Sequence, residues 1–319
     1  MSDTVTVTRM APGEAYEAEA LQGWALQSYA PMAGPERAVD LLFVHGMAAG
    51  GWMWTPDWLR GFTSQGYRCW TVTLPGRDAG ATMASDPMAI DRVLAKALQG
   101  GDPSGALKAL GEILPGASMF DGPSLDDFTD TFTDCLTQIG RPVVPVCHSL
   151  GGAVAQNYLR KGGRPAGTVL LCSVPPYGLW RASMEMALTN PELFATLSDF
   201  SLMGLAGTNI GVLRKNLFPS GISDRDFGEI VPRLRDESLK AMMQSLGWPP
   251  FAPFPGPRAD MLVIGGDKDR LVPFWDVVMT AAYYGTQPKL IPGGGHMLMQ
   301  EAVADKAITA IADFAAKLS

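Results

Sequence analysis

Histidine is scarce in this chain. His45, His148 and His296 are the only three in 319 residues. Chemistry that needs a base near neutral pH therefore has few candidates. Cysteine is also sparse: Cys69, Cys135, Cys147 and Cys172 form no C-x-x-C pair and no zinc-ligand spacing. Cys69, Cys147 and Cys172 lie in apolar, strand-like runs, and buried free thiols are expected there. Positive charge is in deficit, with 25 Lys and Arg against 32 Asp and Glu, a net charge of −7. That balance argues against nucleic acid or an anionic membrane surface as partner, because both need clustered cations. No apolar run approaches the length of a membrane helix. The opening MSDTVTVTRM has neither a basic nor an apolar signal region, so a soluble cytoplasmic protein is expected. Repeats and low-complexity tracts are absent.

What is present suits a large packed core: 47% of residues are apolar and 18% charged. Short apolar runs alternate with helical patterns along most of the chain. Val5–Met10 alternates as an edge strand does, and Leu21–Tyr29 reads as a second strand. Asp40–Val44, Tyr67–Leu74, Val143–Cys147, Thr168–Cys172, Asp260–Ile264 and Pro288–Ile291 read as further strands. Helices are predicted at Pro56–Thr63, Leu125–Ile139, from the end of the Val143 strand to Leu159, and at Ala302–Leu318. This alternation predicts an α/β fold with a mostly parallel sheet and helices on both faces. Ligands in such sheets collect at the carboxyl ends of the strands. Two stretches depart from the pattern. Residues 79–124 read as an insertion with helix-like pieces near Pro87–Leu98 and Ser104–Leu114. Residues 175–257 show no convincing strand and read as a helical cap, leaving 1–174 and 258–319 as the core.

The organising stretch is Val143–Gly152, VVPVCHSLGG. A buried strand stops at Cys147-His148-Ser149, and a helix begins at once with Leu150-Gly151-Gly152. This has the form of a nucleophile elbow, G-x-S-x-G, with Cys147 in the place of the first glycine. Small residues are needed two before and two after the serine, because strand and helix pass close together. Ser149 is thus the candidate nucleophile. His296 is the candidate base, since it follows the last strand in the glycine-rich run Gly293-Gly294-Gly295. Neighbours on a sharp turn point different ways, so His148 is a poor base for Ser149, and His45 and His148 are both assigned structural hydrogen bonds. Asp267 and Asp269 both follow a strand, between the serine and His296, as the order Ser, Asp, His requires. An oxyanion site needs two N–H groups aimed at one point. Leu150, opening the helix, and Met47, after His45-Gly46, are the candidates.

The run HG-x-x-x-GGW-x-W from His45 to Trp54, the LPG of Leu74–Gly76, CHSLGG, the Gly266, Asp269 and Pro273 spacing, and GGGH together resemble the α/β-hydrolase superfamily. The first loop is similar to that of the plant methylesterase and hydroxynitrile lyase group and its bacterial relatives. The resemblance implies the α/β-hydrolase fold with a helical cap, and its spacing favours Asp269 over Asp267 as the acid. It also implies cleavage of a carboxylic ester through an acyl-enzyme on Ser149, with no metal or cofactor. A lactonase or carbon–carbon bond hydrolase would use the same triad. A hydroxynitrile-lyase-type enzyme would use His296 as base without an acyl-enzyme, and a non-catalytic ligand-binding protein on the same fold would keep the pocket and turn over slowly. The expected partner is a small-molecule substrate. Trp180, Met184 and Met203 are candidates to line its site, in a segment with few charges that favours an apolar acyl or alcohol part.

Overall fold

A computed structural model describes residues 7–10, 24–76, 122–247 and 259–318. The two helix-like pieces expected within 79–124 lie outside these residues. Eight strands form one sheet: β1 (Val7–Met10), β2 (Ala25–Tyr29), β3 (Asp40–Val44), β4 (Cys69–Thr73), β5 (Val143–His148), β6 (Thr168–Leu171), β7 (Met261–Gly266) and β8 (Pro288–Ile291). Their spatial order is β1-β2-β4-β3-β5-β6-β7-β8. Every neighbouring pair is parallel except β2 with β4. β3 and β5 lie at the centre, and all their residues are buried. Such strands carry near-continuous apolar runs, because both faces of the sheet are covered.

The covering helices follow from amphipathic spacing and good caps. Helix α1 (Pro56–Thr63) has Pro at its first turn and the Thr55 hydroxyl accepting from the Trp58 N–H. It buries Trp58, Leu59 and Phe62 against Phe43 and Trp54. Helix α2 (Leu125–Ile139) opens with a reciprocal cap between Ser124 and Asp127 and closes on Gly140 in the left-handed region. It packs Phe128, Phe132 and Cys135 with Leu150 and Val154 of α3 (Leu150–Arg160), on the opposite face of the sheet.

Between β6 and β7 the described residues hold five α-helices: α4 (Trp180–Thr189), α5 (Pro191–Met203), α6 (Ile210–Leu217), α7 (Asp224–Ile230) and α8 (Leu239–Ser245). They have a small core of their own, in which Met186, Leu193, Val212 and Leu213 pack with Leu271 of the main body. One fully buried carboxylate joins them to α9 (Phe274–Tyr283). Asp276 accepts from Tyr177 Oη at 2.5 Å and from Arg181 at 3.1 and 2.7 Å. The guanidinium offers two parallel N–H bonds, the geometry that best offsets desolvation of a buried carboxylate. Helix α10 (Ala304–Ala315) closes the chain. It is shorter at both ends than its apolar pattern predicts, because Gln300 ends a 3₁₀ turn just before it and its last carbonyls are taken by turn bonds. All four cysteines are buried and unpaired. No helix among the described residues is long and apolar enough to cross a membrane.

Candidate active site

Ser149 sits between β5 and α3 with φ +50° and ψ −116°, a conformation costly for any residue with a Cβ. Three backbone bonds hold it there. Its N–H donates to the Leu171 carbonyl at 3.1 Å, and its own carbonyl accepts from Gly152 and Val174 at 3.0 and 3.1 Å. The turn needs Gly151: a Cβ there would lie 2.6 Å from the His45 carbonyl oxygen and 2.7 Å from that of Val44. Cys147 occupies the position where the motif usually has glycine, and it is fully buried in the α2–α3 core. The Ser149 side chain is half-buried, and its hydroxyl has no hydrogen-bond partner among the described residues.

The loop after β8 carries His296, which is 3% exposed. Its Nδ1 lies 2.8 Å from Asp269 Oδ2. Asp269 Oδ1 accepts from the N–H groups of Leu271 and Val272 at 2.8 and 3.0 Å, so the carboxylate is oriented by its own turn. Asp267 does not reach the imidazole. It is exposed and accepts from the Gly293 N–H at 2.8 Å, bracing the base of the loop. The carboxylate holding Nδ1–H leaves the other ring nitrogen, Nε2, as the basic one.

Two further side chains fix the histidine loop. Glu301 accepts from the Gly295 N–H at 2.7 Å, and burial raises its carboxyl above the usual range. His148 Nε2 lies 3.0 Å from the His296 carbonyl oxygen. A carbonyl only accepts, so Nε2 carries the His148 proton and Nδ1 is bare. That Nδ1 is buried and has no partner among the described residues. Burial holds the His148 pKa well below its ordinary value, with the nearby His296 acting in the same direction. Neither partner was visible in the sequence as such; in the case of His148, 148 residues separate it from His296.

This has a measurable consequence for stability. Below an ordinary pKa of about 6.5, His148 takes up a proton in the unfolded chain but not in the folded one. Stability therefore falls with acidification from that point, by up to about 1.4 kcal/mol per pH unit until the lowered folded pKa is reached. His148→Gln, which keeps a donor for the His296 carbonyl, is expected to flatten this slope. Urea melts at pH 7.5 and 5.5 check it. An unchanged difference between the two pH values would place the acid sensitivity elsewhere.

The third part lies after β3. His45 Nε2 accepts from the Leu74 N–H at 2.9 Å, and Nδ1 lies 2.8 Å from the Gly46 carbonyl. The proton therefore sits on Nδ1 and is donated to that carbonyl. The peptide it orients is Gly46–Met47, whose N–H points opposite to its C=O. Met47 N–H has no partner among the described residues, and neither has Leu150 N–H, the first of α3. Gly46 lets this loop approach the elbow: a Cβ there would meet Ser149 Cβ and His148 Nδ1, both at 2.9 Å.

Cys172, the residue after β6, has φ +45° and a buried thiol whose pKa is raised well above the ordinary value, chiefly by burial. Cys172, Asp269 and His296 each bring one possible metal-ligand atom within 4.8 Å of the others. Two of those atoms already take each other in the His296–Asp269 bond. The three proposed substrate-site residues are placed differently. Trp180 and Met184 are 58% and 61% exposed along one stripe of α4, and Met203 is half-buried with its side chain close to Gly207.

The model of the Alpha/beta hydrolase family matches residues 41–308. No curated protein matches the chain. Among solved structures, an N-acyl homoserine lactonase complexed with N-butanoyl homoserine is similar at 18% identity and TM-score 0.61, over 95% of this chain and 97% of that one. A thermophilic esterase from Thermogutta terrifontis is similar at 18% identity and TM-score 0.56, over 92% and 93% of the two chains. A bromoperoxidase from Bacillus anthracis is similar at 16% identity and TM-score 0.54, over 92% and 94%. At these identities the likeness is one of fold.

Proposed function

Because the chain belongs to the alpha/beta hydrolase family, we propose that it is a serine hydrolase that cleaves a carboxylic ester through an acyl-enzyme on Ser149. The observation that carries this reading is the constellation at one edge of the sheet. A serine hydroxyl without a partner among the described residues stands on a strained turn, His296 from the loop after β8 is paired with the buried Asp269 from the loop after β7, and Met47 offers an N–H, unbonded among the described residues, beside the turn.

The steps follow from these groups. His296 Nε2 takes the proton of Ser149 Oγ as the oxygen attacks the ester carbonyl carbon. Asp269 keeps the proton on Nδ1 and stabilises the imidazolium that forms. Met47 and Leu150 N–H groups receive the carbonyl oxygen as it becomes an oxyanion. The imidazolium then protonates the leaving alkoxide, and the acyl group stays on Ser149. Water, deprotonated by the same nitrogen, repeats the sequence and releases the acid. The hydrogen bond between Ser149 and His296 closes in the substrate complex, as such bonds often do.

On this reading the 175–257 segment is a cap over the site, and its exposed stripe of Trp180 and Met184, with Met203, receives an apolar group of the substrate. The test is a panel of p-nitrophenyl esters from acetyl to octanoyl, with lactones and β-diketones alongside. Burial of each methylene is worth roughly 0.8 kcal/mol, so kcat/KM should rise up to about fourfold per carbon until the surface is filled. Acetyl as the best substrate, with each added carbon slower, would assign these residues to cap structure alone. Turnover of lactones in preference to linear esters would move the reading to a lactonase with the same steps. Intact-mass detection of an organophosphonate adduct on Ser149 tests the nucleophile directly.

A further inference from the structure

The loop that offers Met47 N–H is held from two sides. His45 holds it from the core, through the Gly46 carbonyl. The second hold comes from the segment between β6 and β7. Ala48, next to Met47, has φ +58°, a left-handed conformation disfavoured for a residue with a Cβ. Both backbone groups of Ala48 are bonded by residues 235–237. Its carbonyl accepts from the Arg235 N–H at 3.0 Å, and its N–H donates to Glu237 Oε2 at 3.3 Å. The other Glu237 oxygen accepts from the Ser238 N–H at 2.9 Å, which sets the carboxylate's orientation. The Arg235 guanidinium bonds the carbonyls of Pro232 and Leu234, so the bracing segment is itself braced. Arg233 lies over the Trp52 ring, 5.7 Å from its centre, further along the same loop.

A residue in a strained conformation stays there only when its surroundings over-determine it. Here the surroundings are a piece of chain 189 residues away in sequence. We propose that Glu237 is a positioning residue for the oxyanion site: by bonding Ala48 N–H it keeps the Met47–Ala48 stretch in the strained form that leaves Met47 N–H directed at the elbow. Glu237 touches no reacting atom. It acts through the backbone of Ala48, and it makes the oxyanion donor depend on the docking of the helical segment. The inference rests on the reading of Met47 as an oxyanion donor. Its signature follows from that role. The substrate carbonyl gains full negative charge only in the transition state, so a misdirected Met47 N–H should cost kcat far more than KM. A shift of about 1 Å at such a donor can cost on the order of 10²-fold.

Glu237→Ala and Glu237→Gln decide it, with kcat and KM on the best p-nitrophenyl ester, the rate of phosphonate labelling of Ser149, and thermal melts. Expected for Glu237→Ala is a loss of about tenfold to hundredfold in kcat and labelling rate. Its KM should stay within about threefold and its melting point close to that of the parent. The Gln side chain has one oxygen for the two N–H groups that Glu237 bonds, those of Ala48 and Ser238, so Glu237→Gln should also lose kcat, by no more than Glu237→Ala and again with KM little changed. Three results would overturn the inference: wild-type kcat in Glu237→Ala, a loss carried by KM with kcat unchanged, or losses matched by the fraction of unfolded protein. A parent enzyme that the phosphonate does not label would instead overturn the serine-hydrolase reading itself.

Discussion

Replacing Ser149 by Ala is expected to lower kcat by about 10⁴-fold or more on whichever ester proves best. The fold should persist. The strained backbone of residue 149 is held by main-chain bonds to Leu171, Gly152 and Val174, none of which involves the hydroxyl. The hydroxyl has no partner to lose among the described residues, so its removal leaves no buried polar group unsatisfied. Alanine carries the same positive-φ cost as serine, and the melting point should move little. KM need not rise, because the missing oxygen contributes chiefly to bond making. The assay must combine steady-state kinetics with a melt and with intact mass after phosphonate treatment. A Ser149→Ala enzyme that still turns over at about a tenth of the parent rate would remove the acyl-enzyme from the mechanism. A hydroxynitrile-lyase-type reaction on His296 would then be the reading to pursue.

Asp269→Asn carries the second large effect, about 10³–10⁴-fold in kcat. The reason lies in how the carboxylate is oriented. Oδ1 is pinned by the N–H groups of Leu271 and Val272, and Oδ2 faces His296 Nδ1. An asparagine would keep its oxygen toward the two N–H donors and turn its NH₂ toward the imidazole. Nδ1 must then accept, the ring proton moves to Nε2, and the nitrogen that should receive the Ser149 proton is occupied. Asp267→Asn is the internal control. Its oxygen would still accept from Gly293 N–H at the exposed base of the loop, and the expected loss is below about tenfold. Kinetics of the two variants side by side, with folding checked by circular dichroism, separate the roles. A larger loss in Asp267→Asn than in Asp269→Asn would assign the acid to the other aspartate.

Much of this architecture is legible without coordinates, for reasons that can be named. Strands buried on both faces must be continuously apolar, and β3, β5 and β6 announce themselves as such runs. A serine on a turn between strand and helix demands small neighbours, and Gly151 marks the position where a side chain would strike the Val44 and His45 carbonyls. The order Ser149, Asp269, His296 is a property of the chain itself. Local chemistry of this kind depends on residues within a few positions of one another, so it survives in one dimension.

The rest was decided in three dimensions. Turn propensity does not separate Asp267 from Asp269; the family spacing favours Asp269, and the packing of the loop after β8 brings His296 to that one. A structural hydrogen bond is the expectation for His148, but its partner, the His296 carbonyl 148 residues away, is set only by the fold. Glu301 and Glu237 belong to no motif, and each finds a backbone N–H of a loop at the site. Trp180 and Met184 read as candidate pocket walls and stand on an exposed stripe of α4, because the same helical spacing serves an inward or an outward face. A backbone N–H looks alike at every position in a sequence. Which side chain it meets is set only when strands distant in the chain are brought side by side, and that parallel pairing puts the loops carrying Met47, Ser149 and His296 at the same end of the sheet.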